Sequence, residues 1–148
     1  MNQLLSTFCR FIAFFLFSFF SFSSFAQSNE AVSFDGADDY ISVPHNASLN
    51  LSDFTFEAWI NLSSNSTTMT ILSKGDGTNP STTNYIFNVG GSSSNGKLGL
   101  FAGAAWYSAT TTLSAGVWYH AAVTVSGSAV SFYLNGVSDG TATLSLSI

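Results

Sequence analysis

Alternating apolar and polar residues run through most of the chain after residue 53 and predict short β-strands. In FTFEAWI (residues 54–60) every second residue is apolar, so one side of an extended chain is apolar and the other carries Thr55, Glu57 and Trp59. AVSFYLNG (129–136) follows the same pattern, and WYHAAVTV (118–125) is rich in β-branched and aromatic residues that favour strands. No stretch of residues 27–148 shows the apolar period of a helix. The sequence therefore predicts an all-β fold.

Dipeptides that favour tight turns separate these apolar runs. They are Asp76-Gly77, Asn95-Gly96, Ser126-Gly127, Asn135-Gly136 and Asp139-Gly140. Strands are predicted near 31–34, 40–43, 54–62, 69–74, 84–90, 97–103, 105–111, 117–126, 129–135 and 139–147. Many short strands at near-regular spacing are typical of a two-sheet antiparallel sandwich or jelly roll.

The first 26 residues differ in composition from the rest of the chain. FIAFFLFSFF (11–20) is almost wholly apolar, follows Arg10, and precedes small residues that include Ser24 and Ala26. This apolar run is shorter than the roughly 20 residues of a transmembrane helix, and the three-part pattern is that of a secretory signal peptide. We expect cleavage after Ala26, a secreted or cell-surface location, and one domain at 27–148 without a transmembrane segment. A retained N-terminal anchor is the alternative.

Removal of residues 1–26 would leave an acidic chain without cysteine. Lys74 and Lys97 would be its only basic residues against eight acidic ones, a formal charge of 2 − 8 = −6. This composition excludes a disulfide framework, a cysteine nucleophile and a thiolate zinc site in residues 27–148. Nucleic acid is not an expected partner, because phosphate binding requires clustered Lys or Arg.

Alternation continues to the last residue of the chain, in TATLSLSI (141–148). A strand that ends at Ile148 would leave an unpaired sheet edge, which native sheets normally cover. We therefore expect the domain to be truncated at its C-terminus, and the chain to be part of a larger modular protein.

Aspartates are concentrated in FDGADDY (34–40), which contains Asp35, Asp38 and Asp39. Carboxylate and backbone oxygens are the ligands that Ca²⁺ prefers, so this loop is a candidate structural calcium site; a simple turn is the alternative. KGDGTNPSTTNY (74–85), with Asp76 and Asn84, is a second oxygen-rich stretch, for which a solvated hairpin loop is the alternative.

Catalytic chemistry is not expected. Glycoside hydrolysis requires two suitably spaced carboxyl groups, but Glu57 is the single acid on its predicted strand. No serine lies in a nucleophile-elbow context. His120 is instead expected to pair with Glu57 across neighbouring strands. We predict that the protein is not an enzyme.

Several motifs in order resemble a known family. FDGADDY, FTFEAWI, ILSKG, YIFNVG, GKLGLF and WYHAAVTV followed by VSFYLNG are similar to a laminin G-like domain of the concanavalin A-like jelly-roll superfamily, to which pentraxins are more distantly related. The resemblance covers residues 31–148 and implies an antiparallel jelly roll, often with a structural calcium ion, that binds carbohydrate or protein. Asn84 matches a position that contributes to calcium-mediated ligand binding in pentraxin-like relatives.

Aromatic residues are candidates for sugar contacts, because sugar rings stack on flat aromatic faces. Trp59 and Trp118 lie in the family motifs and are expected in the core or on a sheet face. Trp106, with Tyr107 or Tyr85, is the predicted ligand contact.

The expected function is a secreted, non-catalytic recognition module that binds carbohydrate, with structural Ca²⁺ as a candidate cofactor. One alternative is a structural or adhesion module that contacts extracellular protein. A minor alternative is a non-catalytic part of a glycoside hydrolase.

Overall fold

The computed structural model describes residues 32–33, 39–75, 84–90 and 96–145. Contacts divide the chain into two units, residues 1–43 and 44–148. The described helices include none that is long and apolar enough to cross a membrane.

The described part of the first unit contains no strand. Residues 32–33 and 39–43 are exposed and have no regular secondary structure. The strand predicted at 40–43 is therefore wrong, and so is the described part of the strand predicted at 31–34. Tyr40 is 81% exposed and Val43 is 70% exposed, so the apolar alternation here does not reflect burial against a sheet.

Residues 44–148 contain one short 3-10 helix and eight strands within their described part. The helix is Ala47–Leu49, and the strands are β1 Phe54–Asn61, β2 Met69–Lys74, β3 Tyr85–Val89, β4 Leu98–Ala102, β5 Ala105–Ser108, β6 Trp118–Ser126, β7 Ala129–Leu134 and β8 Val137–Thr143. Sheet I has the order β1-β6-β7-β8, and sheet II has the order β2-β3-β4-β5. Every pairing is antiparallel. The predicted all-β, two-sheet jelly-roll sandwich is confirmed.

Strand boundaries differ from the prediction by several residues in β5 and β8, and β8 ends at Thr143 rather than near 147. β5 ends at Ser108 rather than near 111, because the Ala109 N–H bonds to the Leu98 carbonyl and the Thr110 N–H then bonds to the Asp139 carbonyl of β8. β8 begins at Val137, because Asn135-Gly136 alone forms the turn after β7.

Two turns were predicted near the hairpin that β7 and β8 form, and only one of them is present. Asn135 has φ 52° and Gly136 has φ 77°, the positive values that a tight hairpin turn requires. Asp139-Gly140 lies inside β8 instead, where the pairing register shifts between Ser131 and Tyr133 of β7. The turn predicted at Asp139-Gly140 is wrong, because the φ of 126° at Gly140 serves a β-bulge.

The core lies between the inner faces of the two sheets. Sheet I contributes Phe132 and alternate residues of β1 and β6, and sheet II contributes Phe87 and Leu100. Phe87 and Phe132 have no exposed surface. The period-2 apolar pattern of the sequence thus corresponds to the inward face of each strand.

The central strands of sheet II are buried on both faces. β3 and β4 are buried at every position, although only alternate residues face the core. Ile86, Asn88 and Phe101 lie on the outer face and are 7%, 0% and 6% exposed. Sheet I differs, because every outward-facing residue of β1 is exposed.

Candidate functional site

Two tryptophans lie on the outer face of sheet I, on the adjacent strands β1 and β6. Trp59 is 67% exposed and Trp118 is 63% exposed. Trp59 is opposite His120, and Trp118 is opposite Asn61. Trp59 and Trp118 are therefore diagonal neighbours across the strand pair, and residues in such positions are typically about 7–8 Å apart. We call Trp59, Trp118, Glu57, Asn61 and His120 the tryptophan face.

His120 connects the aromatic and acidic parts of the tryptophan face. Its Nε2 lies 3.6 Å from Oε2 of Glu57, which confirms the predicted pairing across strands. Its ring centroid lies 5.4 Å from that of Trp59, at an interplanar angle of 58°. The His120 backbone N–H donates to Oδ1 of Asn135 over 2.9 Å. These contacts hold polar atoms beside the exposed face of an indole.

The exposure of Trp59 and Trp118 corrects part of the sequence interpretation. Both were expected in the core or on a sheet face; the sheet-face alternative is confirmed and the core alternative is wrong. For Trp59 the signal was present, because the alternation in FTFEAWI places it on the same side as Thr55 and Glu57.

Trp106 lies on the outer face of sheet II and is partly covered. It is 37% exposed, and its ring packs edge-on against Phe101 with centroids 5.3 Å apart. In register, Trp106 is opposite Phe101, which is opposite Ile86. We call Ile86, Phe101 and Trp106 the aromatic row.

A second row on the same face is polar and uncharged. Thr70 of β2 is opposite Asn88, Asn88 is opposite Gly99, and Gly99 is opposite Ser108 of β5. We call these four residues the polar row. Asn88 is fully buried, and neither its amide oxygen nor its amide nitrogen has a hydrogen-bond partner among the described residues.

Tyr107 does not share a face with Trp106. It follows Trp106 in β5, so its side chain points to the other side of sheet II, where it packs against the core. Its hydroxyl accepts a hydrogen bond of 2.9 Å from the Ser145 backbone N–H. The structure therefore separates Trp106 and Tyr107, two of the predicted ligand contacts.

Tyr85 is a core residue in the structure. It is 3% exposed, and its ring lies 5.1 Å from that of Phe56. Its hydroxyl donates to the Leu49 carbonyl over 3.0 Å, and burial raises the pKa of the phenol. In this position Tyr85 presents no ring face to a sugar.

Asn84 lies immediately before β3, at the end of sheet II that also carries Lys74. Its side-chain oxygen accepts a hydrogen bond of 3.3 Å from Nζ of Lys74, which also donates to Oδ1 of Asn50 over 2.5 Å. An ammonium group thus lies between two amide oxygens. A Ca²⁺ ion at Asn84 would require this lysine to move, because both cations would use the same oxygen.

The remaining predicted calcium ligands are only partly described. Asp39 is exposed, whereas Asp35, Asp38 and Asp76 lie outside the described residues. Among residues that the structure does describe, no group of three His, Cys, Asp or Glu side chains could hold a metal ion. The calcium site stays a prediction.

Two further carboxylates hold backbone groups. Asp53 accepts a hydrogen bond of 2.6 Å from the Gly127 N–H. Asp139 is 9% exposed and accepts from Thr111 Oγ1 over 2.6 Å and from the Thr111 N–H over 3.2 Å. Both side chains have structural partners in the fold.

Comparison with known families identifies the fold family of this chain. The profile of a laminin G-like family, described as the concanavalin A-like lectin/glucanases superfamily, matches residues 35–148. The chain belongs to this family. The resemblance inferred from the sequence motifs is thereby confirmed for this laminin G-like domain, and the more distant relation to pentraxins stays a prediction.

Comparison with solved structures adds one similar protein. This laminin G-like domain is similar to the crystal structure of a proposed carbohydrate-binding protein from Bacteroides ovatus, with 26% sequence identity and a TM-score of 0.52. The match covers 64% of this chain and 27% of the other chain, so the domain spans about a quarter of that protein. The comparison with curated proteins gives no match.

Proposed function

We propose that this laminin G-like domain is a non-catalytic carbohydrate-recognition module that binds sugar on the tryptophan face. The observation that carries the proposal is the exposure of Trp59 and Trp118, at 67% and 63%, on adjacent strands. Large aromatic side chains are among the groups that gain most from burial, and exposed apolar surface on neighbouring residues often marks a binding site. The family and the Bacteroides ovatus neighbour support carbohydrate as the ligand.

The polar groups of the tryptophan face suit a hydroxylated ligand. Glu57 accepts hydrogen bonds, Asn61 both donates and accepts, and His120 has a ring nitrogen beside the indole. Sugars present the same combination, with C–H groups on the ring face and hydroxyls at its edge. A sugar stacked on Trp59 would therefore have hydrogen-bonding partners on both β1 and β6.

Charge favours neutral sugars over acidic ones. The chain has a formal net charge of −5, and Glu57 has a side chain that is 65% exposed beside the indole. A uronic acid or sulfated sugar on this face would meet like charge. We therefore propose neutral glycans as the ligand class.

Export and calcium belong to the same proposal. The apolar segment at 11–20 and the small residues after it support secretion through an N-terminal signal peptide. Asp35, Asp38 and Asp39 in one short stretch supply the oxygen ligands that a structural Ca²⁺ would need. The calcium would stabilise the fold at a distance in sequence from the tryptophan face, so sugar binding need not depend on it.

A glycan array tests the proposal, with the chain probed in the presence and absence of EDTA. We expect binding to neutral glycans, and a loss of at least about tenfold in the Trp59→Ala/Trp118→Ala double variant, equivalent to about 1.4 kcal/mol of binding free energy. Trp59→Phe keeps an aromatic face and should lose less. Thr143→Val, an exposed position at the far edge of sheet I, is the matched control.

Two results would contradict the proposal. Equal glycan binding by the double variant and the parent would remove the tryptophan face from recognition. No glycan binding by the parent, with or without EDTA, would favour the structural or adhesion module.

A further inference from the structure

The amide of Asn88 is an exception to a strong rule of protein structure. Buried polar side chains nearly always have a hydrogen-bond partner, yet Asn88 has no exposed surface and both of its amide atoms lack a partner among the described residues. The amide has lost its bonds to water and has gained none from the residues that the structure describes, which is unfavourable for the free chain. An exception of this kind points to a functional role.

The surroundings of Asn88 in the sheet suggest how a partner reaches it. Gly99, directly opposite on β4, places no side chain between Asn88 and Ser108. A glycine inside a strand often marks a position where a ligand or another backbone approaches closely. Thr70 and Ser108, at the two ends of the polar row, are exposed. Gly99 is buried like Asn88, so the unpaired amide lies at the covered centre of the polar row, with an exposed hydroxyl at each end.

We propose that the outer face of sheet II is a second sugar-binding site, in which the Asn88 amide recognises two adjacent hydroxyl groups. The Asn88 oxygen accepts a hydrogen bond from one hydroxyl, and the Asn88 NH₂ group donates to the other. Trp106, in the neighbouring aromatic row, supplies the ring for stacking. The choice of sugar as the ligand class rests on the proposed function.

The polar row and the aromatic row also favour an uncharged ligand. Thr70, Asn88, Gly99 and Ser108 carry no charge, nor do Ile86, Phe101 and Trp106. A charged ligand would lose hydration here without gaining a charged partner. A neutral vicinal diol fits, since it offers one donor and one acceptor to the two ends of a single amide.

Burial of Asn88 gives this site a kinetic signature. The amide has no accessible surface in the free chain, so the group that covers it has to move before a sugar reaches it. Association that requires a conformational change is slower than association with a preformed surface. Binding to the outer face of sheet II should therefore be slower than binding to the exposed tryptophan face.

Calorimetry and stopped-flow tryptophan fluorescence test the second site with cellotetraose, xylotetraose, mannotetraose and maltotetraose. We expect the parent to bind one of these sugars at two sites, and the Trp59→Ala/Trp118→Ala variant to retain one slow site. Adding Asn88→Leu should abolish that remaining site in both measurements. Trp106→Ala, which removes the last of the three tryptophans, should abolish it in calorimetry. A double variant that binds none of the sugars bound by the parent would overturn the second site and leave the proposed function intact.

The thermal stability of Asn88→Leu gives a readout that does not depend on any ligand. Leucine has nearly the shape of asparagine and removes the unpaired amide, so Tm should rise by about 4 °C or more, while Thr143→Val should leave Tm unchanged. A larger side chain can also lower Tm by overpacking a buried position, so the smaller Asn88→Val is measured beside it. A fall in Tm of both variants would show that Asn88 is already satisfied in the free chain and would overturn the proposal, even if the parent bound no sugar. Should Asn88→Leu not fold, Ser108→Ala and Trp106→Ala still test the slow site.

Discussion

The outer faces of the two sheets differ in how far their aromatic and polar side chains are exposed to solvent. On sheet I the tryptophans are exposed, and Glu57 and His120 face each other. On sheet II the central strands are buried on both sides, and the Asn88 amide is unpaired. The first face presents two indole rings to solvent, whereas the second carries a buried amide without a partner among the described residues. If both proposals hold, the difference separates a preformed site from one that ligand binding completes.

The largest expected effect is the loss of stability when a residue of the shared core is truncated. It tests whether the tryptophan face is exposed while the core is buried. Phe132 of sheet I and Phe87 of sheet II are both fully buried, so either Phe→Ala change should lower the free energy of unfolding by about 3–5 kcal/mol. Trp59→Ala, on the exposed face, should cost clearly less. Urea denaturation measures all three; a Trp59→Ala cost as large as that of Phe132→Ala would mean that the tryptophan face is buried in solution.

The next effect concerns the connection between the two sheets. Asp139 of β8 in sheet I accepts two hydrogen bonds from Thr111, in the segment that follows β5 of sheet II. Hydrogen bonds to a charged group contribute about 1.5–3 kcal/mol, so Asp139→Ala should lower the free energy of unfolding by about 2–3 kcal/mol. Asp139→Asn keeps an oxygen for Thr111 and should cost less. Equal losses in the two variants would show that the charge, rather than the hydrogen-bonding oxygen, holds this segment.

Period-2 alternation was sufficient to predict most strands of both sheets. In β1 and β7 every inward residue is apolar, because a strand with one solvent-facing side must alternate. The prediction failed at Asp139-Gly140, since the same dipeptide serves a hairpin turn or a β-bulge and only the partner strand decides which. It also failed at residues 40–43, where alternation occurs without a paired strand among the described residues.

The candidate sites were less predictable than the strands. The sequence placed Trp106 and Tyr107 together, but neighbouring residues of a strand face opposite ways, and Tyr107 packs towards the core. Asn88 carried no signal at all, because its exceptional property is the lack of a partner across the sheet. Such a property depends on register, which residue spacing in one strand does not reveal.

A smaller effect distinguishes the core side of sheet II from its outer face. Burial raises the pKa of Tyr85, so the unfolded chain ionises at this residue first as pH rises through about 10. The contribution of Tyr85 to stability is therefore complete below that pH and is lost as pH rises towards the folded-state pKa. Urea denaturation from pH 8 to 11 should show a steeper loss of stability in the parent than in Tyr85→Phe.

The Tyr85→Phe variant carries its own control. At pH 7 it loses the hydrogen bond to the Leu49 carbonyl and should be less stable by about 1 kcal/mol. This gap should narrow as pH rises above 10. A constant gap across the pH range would show that the phenol is hydrated in the folded chain, and that sheet II is less closed on its core side than the structure indicates.

The smallest expected effect belongs to the charged pair on the tryptophan face. Glu57 and His120 are 3.6 Å apart, but the Glu57 side chain is 65% exposed, and water and salt screen such pairs. Glu57→Gln should therefore change the free energy of unfolding by no more than about 0.5 kcal/mol. This change should be smaller than the gain in stability expected from Asn88→Leu, although Glu57→Gln removes a charge and Asn88→Leu removes only a neutral amide. The order follows from burial, because an unpaired group costs most where water is absent. Urea denaturation of Glu57→Gln and Asn88→Leu in the same buffer would test this order, and a larger change for Glu57→Gln would reverse the contrast between the two faces.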